Sequence, residues 1–164
     1  MRAEPLHPYG ARMTPHEYGS HVAWQGSTGA GYREYSRDHV AVARPAEQKV
    51  LLSADQSFRG DPRLLNPEQL LVVAASSCQL LSFLAVASRA RVDVRGYDDD
   101  ATAVLDLAAV PARITEVVLR PVVRVAPGTD HEQVRRLAAA AHEGCYVASS
   151  LTCTVRVDVT VVDA

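Results

Sequence analysis

One stretch limits what this chain can become: Asn66 to Arg89, NPEQLLVVAASSCQLLSFLAVASR. Asn66 is a good N-cap, and Pro67 suits the first helical position, where a missing N–H costs nothing. Glu68 places a carboxylate at the positive end of the helix, and Gln69 can reach back to the cap as in a capping box. Beyond that start, Leu70 to Ala75 and then Leu80, Leu81, Phe83, Leu84 and Val86 leave hardly any polar face. A helix apolar all round is expected to be buried. At 1.5 Å per residue it would run roughly 36 Å, enough to cross a small domain. Ser76, Ser77, Gln79 and Ser82 interrupt it too often for a membrane span, which needs about 20 nearly unbroken apolar residues. In its middle sits Cys78.

The rest of the chain bounds the function classes. A length of 164 residues suits one domain with a real core. A net charge of −2 gives no electrostatic case for nucleic acid or an anionic membrane surface. No apolar run follows Met1, so neither a secretory signal nor a transmembrane segment is expected. Three cysteines are an odd number, too few for a disulfide scaffold, and point to a reducing compartment with the cytoplasm as default. Residues 1–18 hold three prolines and no apolar period, so they read as an N-terminal extension to a single domain at 19–164. His7 and His16, in that extension, have no partner cluster for a metal.

From His21 the pattern is one of short strands: Val22 to Trp24, the turn-rich GSTGAG, Tyr32 to Tyr35, His39 to Ala43 and Lys49 to Leu52, an antiparallel meander. The loop SADQSFRGDPRLL then leads into the long helix. After Arg89 the period changes to two. Val92 to Leu107 and Ile114 to Val125, reversing at Pro111, predict a long hairpin on the central helix, with Val117, Leu119, Val123 and Val125 on its inner face. Pro127-Gly128 ends the second strand. Asp130 then caps a helix with Val134, Leu137, Ala138 and Ala141 on one buried stripe, and Gly144 is placed to stop it in a left-handed conformation. The chain finishes in a strand on which Cys153, Val155, Val157, Val159 and Val161 alternate with polar residues. The fold class is α+β.

The cysteines carry the chemistry, with a bland reading beside each. Cys153, among valines of the same parity, reads as a small hydrophobe. Cys145 follows the second helix directly, where the negative helix end does nothing to favour a thiolate. Cys78, mid-helix in apolar company, reads as inert by composition, since burial raises a thiol pKa. Against that stands the run Ser76-Ser77-Cys78-Gln79, four polar side chains at the centre of a greasy helix, costly unless something uses them. A thiolate there would call for a cation from elsewhere, and Arg33, Arg37 and Arg59 are the candidates.

The segments NPEQLLVVAASSCQLLSFL, ITEVVLRPVV and AHEGCYVASSL, in that order, resemble the OsmC/Ohr family of thiol-dependent peroxidases across about residues 20 to 164. The resemblance implies an OsmC-like fold, in which a long buried central helix and a second helix are wrapped by antiparallel sheets in an intertwined homodimer. It implies that Cys78 attacks organic hydroperoxides and that Cys145 resolves the product as a disulfide. It also implies that Arg37, in SRDH, and Glu68, in NPE, support the thiolate. A small dithiol or lipoyl-protein is the implied reductant, and no cofactor or metal is implied. YSRDH and FRGDP look closer to the OsmC side. Gln79 departs from the histidine or aromatic residue of many members, and Cys153 has no catalytic counterpart.

Glu68 and Cys78 lie ten residues apart, roughly 15 Å and about 80° around one straight helix, so they cannot share a site within one chain. Two copies crossing antiparallel near Val73 would bring one chain's Glu68 toward the other's Cys78. An obligate homodimer is therefore expected. Apolar Leu80, Leu81 and Phe83 should wall the site and favour alkyl hydroperoxides over hydrogen peroxide. Two rival readings are a zinc site using Cys78, Cys145 and His142, which wants a fourth ligand, and a non-catalytic dimer binding a hydrophobic ligand.

Overall fold

The computed structural model describes residues 15–164, so His7 and most of the expected extension lie outside it. The chain divides into two compact units, the first ending at Leu65 and the second starting at Asn66.

In the first unit three short strands, β1 (His21–Ala23), β2 (His39–Val42) and β3 (Lys49–Leu52), form the expected antiparallel sheet in the order β1-β2-β3. Tyr32 to Tyr35, expected as a strand, instead runs through the second of two successive turns and the bend that follows it. Gly31 N–H bonds the Thr28 carbonyl (2.9 Å) and Glu34 N–H bonds that of Gly31 (3.1 Å). Gly31 has φ +99°, which a residue with a side chain rarely adopts, so the chain doubles back here. After β3 a 3-10 turn, Gln56–Phe58, is capped by the Asp55 carboxylate. Ser53 N–H then bonds the Leu65 carbonyl at 2.9 Å and closes the loop.

The second unit begins as the sequence requires. Helix α1 spans Pro67–Arg89; the Asn66 side chain accepts from Gln69 N–H (2.8 Å), and Gln69 Oε1 accepts from Asn66 N–H (3.0 Å). Such a capping box stabilises a helix start by about 1 kcal/mol. The expectation of all-round burial is not met. Within the chain only one stripe at four-residue spacing is buried: Ala75, Gln79, Phe83 and Ala87. Val73, Leu81 and Leu84 remain 54%, 64% and 39% exposed, because the second unit covers one side of the helix. By length and composition α1 also passes as a candidate membrane span, with 22% of that stretch buried. Ser76 and Gln79 nevertheless have partners within the chain, the Asp99 carboxylate and the Ala138 carbonyl.

The predicted hairpin forms, but neither of its strands is continuous. The first is β4 (Val94–Asp99) and β5 (Thr102–Asp106); the second is β6 (Arg113–Leu119) and β7 (Pro121–Val125). The last strand breaks likewise, into β8 (Thr154–Val157) and β9 (Thr160–Asp163). Two three-stranded sheets result, β5-β6-β8 and β4-β7-β9, in which β8 runs parallel to β6 and β9 parallel to β7. All three breaks fall at one level. There Pro121 has no N–H to give, Asp158 N–H bonds the Leu119 carbonyl at 2.8 Å, and the Asp99 carboxylate accepts from Arg120 N–H at 2.6 Å. The second oxygen of Asp99 accepts from the Ser76 hydroxyl at 2.5 Å, which ties the bend to the middle of α1.

Each half of α1 packs on its own cluster. Ala75 joins Val117 and Leu119 of β6, with Val147, Cys153 and Val155 at the margin; Cys153 is there the packing residue its parity predicts. Phe83 and Ala87 join Val123, Val125 and Val161, together with Val134, Ala138 and Ala141 of the second helix, α2 (His131–Glu143). Truncating the fully buried Phe83 to alanine should cost about 3–5 kcal/mol.

Candidate active site

The α2 helix does not end as predicted. Gly144 has φ −94° rather than a left-handed conformation, and the chain goes on to an extended Cys145 (φ −77°, ψ 113°). Cys145 is therefore more than a helix exit. It is the N-cap of a further five-residue helix, α3 (Tyr146–Ser150), whose Ser149 N–H bonds the Cys145 carbonyl at 2.9 Å. The first-turn N–H groups of any helix lack intrahelical partners and carry partial positive charge. Here they find sulfur.

Cys78 lies half-buried on α1, with Ser82 one turn further along the same face. Burial by itself raises its thiol. The Val147 N–H, the Cys145 thiol, the Tyr146 N–H and the Ser82 hydroxyl lie on the side that favours the anion, and together they outweigh burial, so Cys78 falls below an ordinary thiol value. Cys145 moves the other way. It is 1% exposed, and burial is the largest cause of its raised value. The Ala148 and Val147 N–H groups lower it without cancelling that, while donation to the Cys78 sulfur and the charge there push it higher. Both are free thiols. The arrangement is an asymmetric dithiol, with a half-buried, more readily ionised member beside an enclosed one that holds its proton.

Of the four residues anticipated for the site, the fold thus joins Cys78 and Cys145. Glu68 stands in the first turn of the same α1 and does not meet Cys78 within the chain, in keeping with their helical separation. Arg37 belongs to the first unit. There its two terminal nitrogens donate to the Tyr35 and Tyr32 carbonyls, and its guanidinium lies over both rings, 3.9 Å and 4.7 Å from their centroids. The Tyr146 and Val147 amides and the Ser82 hydroxyl were not anticipated. A five-residue helix is too short to show a period, and cysteine is not among the usual N-cap residues, so only the abrupt end of the α2 pattern at Gly144 hinted at them.

Behind the thiols the polar run has structural uses. Gln79, 1% exposed, donates from Nε2 to the Ala138 carbonyl at 3.1 Å and so fastens α1 to α2. Its Oε1, the Tyr97 hydroxyl and His142 Nδ1 are buried without a partner. Burial, then the Asp99 carboxylate and Cys145, raise the Tyr97 phenol, so it stays protonated. Phe83 does not wall the site as expected, because its ring is fully buried, with its centroid 6.0 Å from that of Tyr97. Among the described residues no group of three His, Cys, Asp or Glu side chains is placed to hold a metal ion, so Cys78, Cys145 and His142 do not make a zinc site. An open cleft of about 410 Å³ lies away from the sulfurs, between the last turns of α1 and the Arg91–Val94 segment.

Residues 60–160 match the family described as OsmC-like protein. The fold is similar to that of an OsmC-like protein of unknown function from Vibrio cholerae, at 28% identity over 89% of this chain and 100% of that one, with a TM-score of 0.80. It is also similar to an organic hydroperoxide resistance protein from Elizabethkingia anophelis, at 17% identity over 93% and 100% of the two chains (TM-score 0.68). A third similar structure is an organic hydroperoxide resistance protein OsmC from Legionella pneumophila, at 16% identity over 90% and 98% (TM-score 0.65). No curated protein sequence matches the chain.

Proposed function

The chain belongs to the OsmC-like protein family, and from that premise we propose that it is a thiol-dependent peroxidase, reducing organic hydroperoxides to alcohols in oxidative stress defence. One observation carries the reading: the free Cys78 thiol of α1 and the enclosed Cys145 thiol at the start of α3 are neighbours, and their surroundings lower the first and raise the second. Attack on a peroxide needs a thiolate, and resolution needs a partner that stays protonated until the first step is over.

In the proposed reaction the Cys78 thiolate attacks the distal oxygen of ROOH. The O–O bond breaks, Cys78 becomes a sulfenic acid, and the alkoxide leaves and takes a proton to become ROH. Cys145 sulfur then attacks Cys78 sulfur; its proton leaves with the departing hydroxide as water, and a disulfide forms. A small dithiol or lipoyl-protein returns both thiols by exchange and is itself oxidised to a disulfide. Apolar Leu80 and Leu81 favour an organic tail. Arg37 is assigned to holding the thiolate or the peroxide oxygen, positioned by Glu68.

The reading includes a homodimer. The uncovered apolar side of α1, with Val73, Leu81 and Leu84, is surface that a second copy would cover, and an antiparallel crossing there would bring Glu68 of one copy toward Cys78 of the other. The proposed address is the cytoplasm, where free thiols persist.

The deciding experiment is a free-thiol titration before and after one equivalent of cumene hydroperoxide. Loss of two thiols per chain is expected. Loss of none would leave the second reading, a dimer that binds a hydrophobic ligand without turnover. Light scattering at micromolar concentration should give twice the chain mass, and a monomer would remove the shared site.

A further inference from the structure

The segment before β2 spends much of its sequence on one side chain. Gly26, Gly29 and Gly31 let it fold back tightly; a Cβ at Gly26 would stand 2.6 Å from the Trp24 ring, and Gly31 needs φ +99°. The Trp24 indole N–H bonds the Ser36 carbonyl at 2.8 Å, which closes the loop at its neck. Tyr32 and Tyr35, three residues apart across the second turn, stand edge to face with centroids 6.1 Å apart, and Trp24 is edge to face with Tyr35 at the same distance. Arg37 lies over both tyrosine rings, and their own carbonyls take a hydrogen bond from each of its terminal nitrogens. Its neighbours are fastened too: Ser36 Oγ accepts from Asp38 N–H at 3.0 Å, and the Asp38 carboxylate accepts from Ser53 Oγ at 2.8 Å.

A free arginine side chain has many rotamers, and most of them would aim its donors away from any one point. Faces and carbonyls together fix the guanidinium plane. Both terminal nitrogens keep a second hydrogen, and Nε keeps its own. We infer that Trp24, Tyr32 and Tyr35 are positioning residues: an aromatic clamp that fixes the Arg37 guanidinium, so that the ordering of this side chain is complete before sulfur or peroxide is engaged. The inference rests on the proposed role of Arg37 at Cys78.

A clamp made of ring faces is a specific claim. The carbonyls belong to the backbone and survive any side-chain change, so Tyr35→Phe keeps every contact that matters, whereas Tyr35→Leu removes one face. Tyr32, 60% exposed, allows a second test with little risk to folding. Trp24 is the only tryptophan of the chain, so its emission reports the state of the loop directly.

The test measures iodoacetamide alkylation of the Cys78 peptide by mass spectrometry against pH, beside hydroperoxide turnover. Tyr35→Leu should slow alkylation at neutral pH about tenfold by moving its midpoint up about one unit, with Tyr32→Leu doing the same more weakly. Tyr35→Phe should restore both the rate and the midpoint, and Arg37→Lys should fail like Tyr35→Leu because an ammonium does not stack. An unchanged midpoint in both leucine variants would overturn the clamp while leaving the peroxidase intact. Equal losses in Tyr35→Phe and Tyr35→Leu would overturn it too, since the face would then not be the agent. Midpoints that shift as expected in a chain that consumes no hydroperoxide would uphold the clamp and remove the activity.

Discussion

Cys78 and Cys145 are the same chemical group side by side, one from the middle of a long helix and one from the junction of two others. Burial opposes ionisation at both. At Cys78 it is outweighed, because two backbone N–H groups, a hydroxyl and a thiol converge on the sulfur. At Cys145 it wins, because the sulfur is enclosed and a neighbouring negative charge disfavours its own. Backbone donors at a helix start can thus divide two adjacent thiols into one that ionises more readily and one that holds its proton, with no difference in residue type.

The largest perturbation of that contrast removes the more readily ionised member. Cys78→Ser should abolish hydroperoxide consumption, with no sulfenic acid detectable by a dimedone-type probe. Removing the other member should leave the attack and delete its resolution. Cys145→Ser should consume one equivalent of hydroperoxide per site and then stop, its Cys78 held as a sulfenic acid that the same probe labels. A smaller change narrows the difference without deleting either sulfur. Val147→Pro loses the N–H that contributes most against burial at Cys78, at an early helical position where proline is tolerated. A hydrogen bond to a charged group is worth about 1.5–3 kcal/mol, so the Cys78 alkylation midpoint should rise by roughly one to two units. The sign follows from the direction of the shift: a depressed thiol is already ionised below the ordinary thiol range, so loss of its donor subtracts reactivity at neutral pH and leaves it intact at high pH. In the wild-type chain the same pH series should find Cys78 alkylated at lower pH than Cys145. The smallest effect lies behind the pair. Gln79→Leu removes one hydrogen bond to Ala138 and one buried acceptor without a partner, so chemical denaturation should show a change within about 1 kcal/mol.

How much of this the sequence carried depends on the range of the signal. The start of α1 was readable because Asn66, Pro67 and Gln69 act on atoms within one turn. The buried face of the hairpin was readable because Val117, Leu119, Val123 and Val125 keep one parity across the break. The break itself is not legible in the alternation, which runs straight through it; Pro121 is the one local signal. The bend depends on Asp99 reaching Arg120 and Ser76, both more than 20 residues away. Likewise Cys78 and Cys145 stood out as the two cysteines that strand packing did not explain. Their proximity, and the amides that lower Cys78, leave no local pattern.

What the sequence determined by itself was the list of parts: one long capped helix carrying a thiol, a second helix followed by another thiol, and strands with a definite inner face. These follow from covalent geometry and from hydrophobic periods a few residues long. Only the tertiary structure decided that the two thiols are neighbours, that Cys145 starts a helix as well as following one, and that one side of α1 stays uncovered within the chain. Those outcomes depend on where backbone donors and apolar surfaces from remote segments come together, and proton affinity responds to that local surrounding rather than to residue type.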